Sequence, residues 1–131
     1  MSKKRYTSGL LCLHHQAEAF SKATQLYKSA LIRLTHSYVL AEFVALANAR
    51  RIPRSAALMF VVDLVGNPDI ETIWVDESLH GKAVALLQSR LDKKYSLCDA
   101  VSFILMRERN LDAALTTDRH FEQDGFLRLL V

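Results

Sequence analysis

The sequence contains few of the residues that constrain a chain covalently or through its backbone: two cysteines, two prolines and four glycines in 131 residues. Cys12 and Cys98 are isolated thiols and no CxxC pair occurs, so we interpret both as small buried hydrophobic residues. The scarcity of glycine and proline, together with a hydrophobic content of 50%, is typical of a helix-rich globular protein.

Apolar runs long enough to cross a bilayer are also missing. The run ALMFVVDLVG (57–66) is interrupted by Asp63 well short of that length, which excludes a transmembrane helix here. LLCL (10–13) is too short for the core of a signal peptide, and no small-residue cleavage site follows it. We therefore expect a cytoplasmic protein without a membrane segment.

Acidic residues are scarce in the first part of the chain. Residues 1–54 carry nine Lys and Arg against two acids, whereas residues 55–131 carry eight against twelve. A basic half is weak evidence for a polyanionic partner and decides nothing alone.

Short β-rich runs alternate with longer helical patterns along the chain. Helices are predicted at 16–30, 37–51, 53–66, 76–91 and 96–109, from apolar spacing and from start signals such as Pro53 and the N-cap Asp76. Strands are predicted at 31–35, 70–75, 112–116 and 126–131, with a loop over 117–125. This alternation predicts one α/β domain with a parallel sheet covered by helices on both faces. Functional groups gather at the carboxyl ends of the strands in such sheets.

Three carboxylates stand where an ordinary surface residue is not expected. Glu42 has only apolar or aromatic neighbours at three and four positions along its helix, so it needs a partner elsewhere in the fold or a metal. Asp99 lies three residues after Ser96, which also fits a capping box at a helix start. Asp118 follows a predicted strand end, where chemistry is expected, and a turn residue explains it equally well.

Taken together, the three carboxylates favour a metal site. Strand ends and the helix starts that follow them share one edge of a parallel sheet, and converging carboxylates need a cation to hold them together. Hard oxygen ligands suit Mg²⁺ or Mn²⁺. A zinc site is not favoured, because His14 and His15 are adjacent and the other three histidines are scattered.

Three segments resemble a known family. SLCDAVSFILM (96–106), followed by ALTTDRHFEQDGF (114–126), resembles the C-terminal half of PIN-domain nucleases, in particular the VapC-type toxins of toxin–antitoxin pairs. LTHSYVLAEFVAL (34–46) is similar to the family's second acidic motif. The resemblance covers essentially residues 1–131 and implies a three-layer sandwich with a mainly parallel five-stranded sheet. It also implies Mg²⁺- or Mn²⁺-dependent RNA cleavage, a homodimer and a small antitoxin bound at the active-site groove.

By resemblance, Glu42, Asp99 and Asp118 take the roles of the family's second, third and fourth acids. The first acid is expected at the end of the first strand, where YTSGLLCL (6–13) places Tyr6 instead. That strand, at about residues 2–7, is also atypical, since SKKR replaces the usual aliphatic run. Supporting hydroxyls are expected from three further residues, Ser8, Thr116 and Thr117.

Alternatives remain open at this point. RNA backbone contacts are expected from a basic set that also fits an ordinary solvated surface: Arg50, Arg51, Arg54, Lys93 and Lys94.

Because neutral tyrosine is a poor Mg²⁺ ligand, the chain is either an impaired ribonuclease or a non-catalytic module that sequesters an antitoxin or RNA. A receiver- or flavodoxin-like domain fits less well, since the receiver version needs acids at the end of the first strand.

Overall fold

The computed structural model describes residues 34–114 and 119–128, together with the backbone of residues 5–6; Arg128 is likewise described by its backbone alone. In chain order the elements are β1 (Arg5–Tyr6), β2 (Leu34–His36), α1 (Ser37–Ala49), α2 (Arg54–Gly66), β3 (Glu71–Ile73), α3 (Glu77–Gln88), α4 (Leu97–Glu108), β4 (Ala113–Ala114), α5 (Arg119–Gln123) and β5 (Leu127–Arg128). Four predicted helices appear with slightly shorter bounds. Each predicted strand overlaps a strand of the structure, but β2 ends at His36, one residue beyond the predicted end, and parts of the strands predicted at 31–35, 112–116 and 126–131 lie outside the described residues. The helix predicted at 16–30 lies outside the described residues.

The described strand ladders are all parallel, which confirms the α/β class. β4 lies between β1 and β5, and β2 pairs with β3. β1 also contacts β2, which brings the two groups of strands side by side. A single five-stranded sheet stays a prediction, because no ladder joins the two groups within the described ranges.

The loop predicted over 117–125 is wrong at Arg119–Gln123, which forms α5. Phe121 is buried there, and its ring meets that of Phe103 at 4.9 Å in an edge-to-face arrangement. A helix of five residues with one apolar anchor shows no repeated spacing in the sequence, so tertiary packing decides its conformation.

The core is centred on α4, where Ala100, Val101, Phe103 and Met106 are fully enclosed. The ring of Phe103 also meets Tyr95 at 5.0 Å and Phe126 at 5.6 Å. Close packing of this kind holds the helix, and with it the first turn that carries Asp99, in one position. None of the helices in the described part of the chain is long and apolar enough to cross a bilayer.

Candidate active site

Asp99 lies in the first turn of α4 with 11% of its side chain exposed. The backbone N–H of Ser96 donates to Asp99 Oδ2 at 3.0 Å, and the N–H of Asp99 donates to Ser96 Oγ at 3.0 Å. The capping box considered from the sequence is therefore confirmed. The capping box uses Oδ2 of Asp99, so Oδ1 can take part in another interaction.

A histidine joins this carboxylate from another part of the fold. His120, on α5, places its Nδ1 2.8 Å from Asp99 Oδ2, and its ring packs at 5.3 Å against that of Tyr95. Sequence reasoning counted His120 among scattered histidines and missed this contact. The available signal was its place in the TTDRHF segment, two residues after Asp118.

Glu42 is half-buried in the second turn of α1, as the sequence predicts for its place in the helix. Tyr38 lies four residues earlier and therefore on the same face of the helix. The Tyr38 hydroxyl is 2.6 Å from Nδ1 of His80 on α3. Glu42 thus stands one helical turn beyond a hydrogen bond that joins α1 to α3.

His36 links the helix of Glu42 to the helix of Asp99. Its Nδ1 accepts the N–H of Val39 at 3.4 Å, capping α1, and its Nε2 lies 2.8 Å from Ser102 Oγ on α4. Burial lowers the pKa of His36 from 6.5 to about 3, so the ring is neutral and Nε2–H donates. Ser102 Oγ in turn donates to the carbonyl of Cys98 at 3.1 Å. Sequence reasoning missed this link.

The remaining predicted site residues are only partly visible. Tyr6 ends β1, and its backbone lies opposite Ala114, the last described residue of β4. The last described residues of β1 and β4 therefore lie side by side, at the same edge of the sheet. The others lie outside the described residues: Ser8, Thr116, Thr117 and Asp118.

The fold has a solved counterpart. No protein-family model and no curated protein sequence matches the chain. Among solved structures it resembles VapC20 of Mycobacterium tuberculosis, a sarcin–ricin loop cleaving toxin, with a TM-score of 0.81 and 25% sequence identity. The likeness covers 95% of this chain and 97% of VapC20. This chain has a VapC-type PIN fold. The expected resemblance to VapC-type PIN proteins is thus confirmed.

The predicted RNA-binding residues occupy two separate connections of the PIN fold. Arg50, Arg51 and Arg54 are exposed where α1 passes into α2. Arg50 is eight residues beyond Glu42, or about 12 Å along a helix. Lys93 and Lys94 are exposed on the loop that leads to the first turn of α4. Their role in binding RNA stays a prediction.

A divalent cation fits the chemistry of Asp99 in this PIN fold. Within residues 34–114 and 119–128, no group of three His, Cys, Asp or Glu side chains comes together as a metal site. Asp99 nevertheless offers a hard carboxylate oxygen, because the described hydrogen bonds from Ser96 and His120 both involve Oδ2. Oδ1 is therefore the oxygen suited to an ion.

Proposed function

We propose that this chain is an endoribonuclease toxin of a toxin–antitoxin pair, working in the cytoplasm as a single PIN domain. The likeness to VapC20, a sarcin–ricin loop cleaving toxin, over 95% of the chain is the observation that carries the proposal. The proposed site consists of Glu42, Asp99 and Asp118. Its proposed partners are RNA as substrate, a small antitoxin, and a second copy of the chain.

The proposed cofactor is Mg²⁺ or Mn²⁺, since carboxylate oxygens are ligands that these ions prefer. Such an ion, when bound, supplies a water of lowered pKa and neutralises charge on the phosphate. The chain's own task is to position the ligands. Ser96 and His120 orient Asp99, and the bond between His36 and Ser102 fixes the helix of Glu42 against that of Asp99.

Substrate contacts are proposed from groups around the carboxylates. Hydroxyls that orient water or phosphate come from Ser8, Thr116 and Thr117. Cations that neutralise the RNA backbone come from Arg50, Arg51, Arg54, Lys93 and Lys94. The five basic residues supply affinity without base preference, because phosphate contacts carry no sequence information.

Tyr6 is proposed to impair both metal binding and cleavage. The phenol titrates near a pKa of ~10, so it is neutral at pH 7 and a poor ligand for a hard cation. The ladder between β1 and β4 sets the backbone of Tyr6 beside Ala114, at the strand edge where the first acid of the family is expected.

Substitution of Tyr6 tests the proposal. We expect Tyr6→Asp to increase Mn²⁺-dependent cleavage of a labelled single-stranded RNA by at least about tenfold, because it restores a carboxylate ligand. Tyr6→Asn is the matched control, since it removes the ring without adding charge and should give no such gain. Asp99→Asn in the Tyr6→Asp background should abolish cleavage. Wild-type activity equal to that of Tyr6→Asp would overturn the role given to Tyr6.

Tyr6 also favours a second candidate, a non-catalytic PIN-fold module that sequesters an antitoxin or RNA. This module would bind its partner with similar affinity in the wild type and in Tyr6→Asp, and neither protein would cut RNA at saturating Mn²⁺. If both proteins bind the partner and neither cleaves RNA, the chain is a non-catalytic module and not a ribonuclease.

A further inference from the structure

The contact between His120 and Asp99 has a defined direction. An ionised carboxylate has acceptor oxygens only, so the hydrogen between Nδ1 and Oδ2 must be carried by the imidazole. Oδ2 also accepts the N–H of Ser96 at 3.0 Å. Two donors from two different elements, the N-terminus of α4 and α5, therefore converge on the same oxygen of Asp99.

We propose that His120 is a positioning residue for Asp99. Its Nδ1–H and the Ser96 N–H lock the carboxylate rotamer through Oδ2, so that Oδ1 is presented to a divalent cation. This inference rests on the proposed function, because it assigns the orientation of one ligand in the same site. The capping box alone leaves the carboxylate a single hydrogen bond, about which it can pivot, and the histidine removes that freedom.

The imidazole is itself held in place before any ligand arrives. Its ring packs against Tyr95 at 5.3 Å, and 28% of its side chain is exposed. The next residue, Phe121, anchors α5 in the core against Phe103 at 4.9 Å. A donor preorganised in this way orients a ligand at little entropic cost, which is how outer residues tune metal sites.

A purely structural ion pair is the competing explanation. Such a pair would lower the stability of the protein when broken, and it would leave the affinity for a cation unchanged among variants that fold equally well. A positioning role predicts instead that loss of the His120 donor weakens cation binding even in variants that fold as well as the parent. The two explanations therefore separate on measurements other than stability.

The first experiment reads the tautomer of His120 without any metal. Imidazole ¹H–¹⁵N spectra are recorded on protein labelled at histidine, at about pH 8, where an unperturbed imidazole is neutral. The signal of His120 is assigned by its loss in His120→Asn. We expect the hydrogen on Nδ1 in the wild type, and its transfer to Nε2 in Asp99→Ser. A hydrogen on Nε2 in the wild type, or no change in Asp99→Ser, would overturn the proposal.

The second experiment measures Mn²⁺ affinity by calorimetry in the Tyr6→Asp background. His120→Phe keeps a ring against Tyr95 but removes the donor, and we expect it to weaken Mn²⁺ binding by about tenfold or more. His120→Asn, whose side-chain amide can replace Nδ1–H, should stay within about threefold of the parent. Lys82→Met is the control, because Lys82 pairs with Glu108 at the opposite end of α4 from Asp99 and should leave affinity unchanged.

The outcomes separate this inference from the proposed function. If the Phe and Asn variants of His120 both bind Mn²⁺ as tightly as the Tyr6→Asp parent while their melting temperatures fall, the pair is structural and the positioning role is wrong. If Tyr6→Asp binds no Mn²⁺ at all, the metal site of the proposed function fails. The tautomer measurement does not depend on metal, and a hydrogen on Nε2 in the wild type would overturn the positioning role in that case too.

Discussion

At the scale of single residues, His36 makes two hydrogen bonds in a fully buried position. It caps α1 through Nδ1, donates to Ser102 through Nε2, and is completely buried. The bond from Val39 requires the neutral ring, since a protonated imidazole has no acceptor nitrogen for that N–H, whereas the bond to Ser102 can form in either state. Protonation of His36 is therefore incompatible with its capping of α1 in the folded protein.

The pH dependence of stability follows from the lowered pKa of His36. The pKa is 6.5 in the unfolded chain and about 3 in the fold, so between these values the unfolded state binds the additional proton. The free energy of unfolding is therefore unaffected above pH 6.5 and falls as the pH decreases below it, by up to about 1.4 kcal/mol per pH unit from this group.

Denaturant unfolding of the wild type and of His36→Asn at several pH values checks this expectation. Asparagine retains a capping side chain but does not titrate, so the carboxyl groups cancel in the difference between the two proteins. We expect the wild type to have the larger free energy of unfolding at neutral pH, and its advantage over His36→Asn to decrease as the pH falls below 6.5. Parallel curves for the two proteins would contradict the role of His36.

Local chemistry made some site residues predictable, and tertiary contacts hid others. Ser96 and Asp99 are three positions apart, so their capping box is visible in the sequence. The partner of His36 is Ser102, 66 positions away, and the partner of His120 is 21 positions away on another helix. Spacing carries no information about such pairs, and histidine is not a usual capping residue.

At the scale of elements, α5 and the described part of β5 are too short to be stable alone, with five and two residues. Asp124, whose side chain is 3% exposed, lies between them and accepts from Arg90 Nε at 3.2 Å and from the guanidinium of Arg107. Arg107 also donates to the backbone carbonyl of Asp124 at 2.7 Å and lies 4.9 Å above the ring of Phe126. These contacts hold the segment against α4.

Neutralising Asp124 should loosen that segment. We expect Asp124→Asn to lower the free energy of unfolding by about 2 kcal/mol, because it weakens two charge-assisted hydrogen bonds at a buried oxygen pair. Glu71→Gln is the matched control, since the ion pair of Glu71 with Arg109 is partly exposed to solvent and contributes about 1 kcal/mol or less. Equal losses in the two variants, measured by denaturant unfolding, would contradict the buried role of Asp124.

The same carboxylate acts on a neighbouring ring. Burial, and then the negative charge of Asp124, raise the pKa of Tyr95 to about 12. Tyr95 is the residue against which His120 packs, so it presents a neutral ring to the histidine throughout the physiological range. The contacts of Arg90 and Arg107 with Asp124 and the site at Asp99 are thus adjacent parts of one packed unit.

At the scale of the whole molecule, α2 has two apolar faces. One packs into the core through Ala57 and Leu64. The other exposes a set of large hydrophobic side chains, Leu58, Met59, Val62 and Val65. Exposed apolar faces are common at protein interfaces, and we propose this one as the interface of the proposed homodimer.

A charge placed in this face tests the proposed dimer. We expect the wild type to elute as a dimer in size-exclusion chromatography with light scattering, and Val62→Glu to elute as a monomer, because burying an unpaired carboxylate is costly. Leu91→Glu is the control, as Leu91 is 85% exposed and lies outside α2. A dimer that persists in Val62→Glu would exclude this face.

The fold as a whole was more accessible from the sequence than the site. Alternation of strand and helix patterns depends on hydrophobic spacing, which can be read from the sequence alone, and the resulting fold resembles that of VapC20 at 25% identity. The exposed face of α2 was not separable from its buried face in the sequence, because the run ALMFVVDLVG is apolar on nearly every side.

The ladder between β1 and β4 has a genetic consequence for the proposed function. Backbone hydrogen bonds set Arg5 opposite Ala113 and Tyr6 opposite Ala114, and these bonds do not involve the side chain at position 6. Tyrosine and aspartate codons differ at one base. The carboxylate proposed to be missing at this strand end is therefore one base change away.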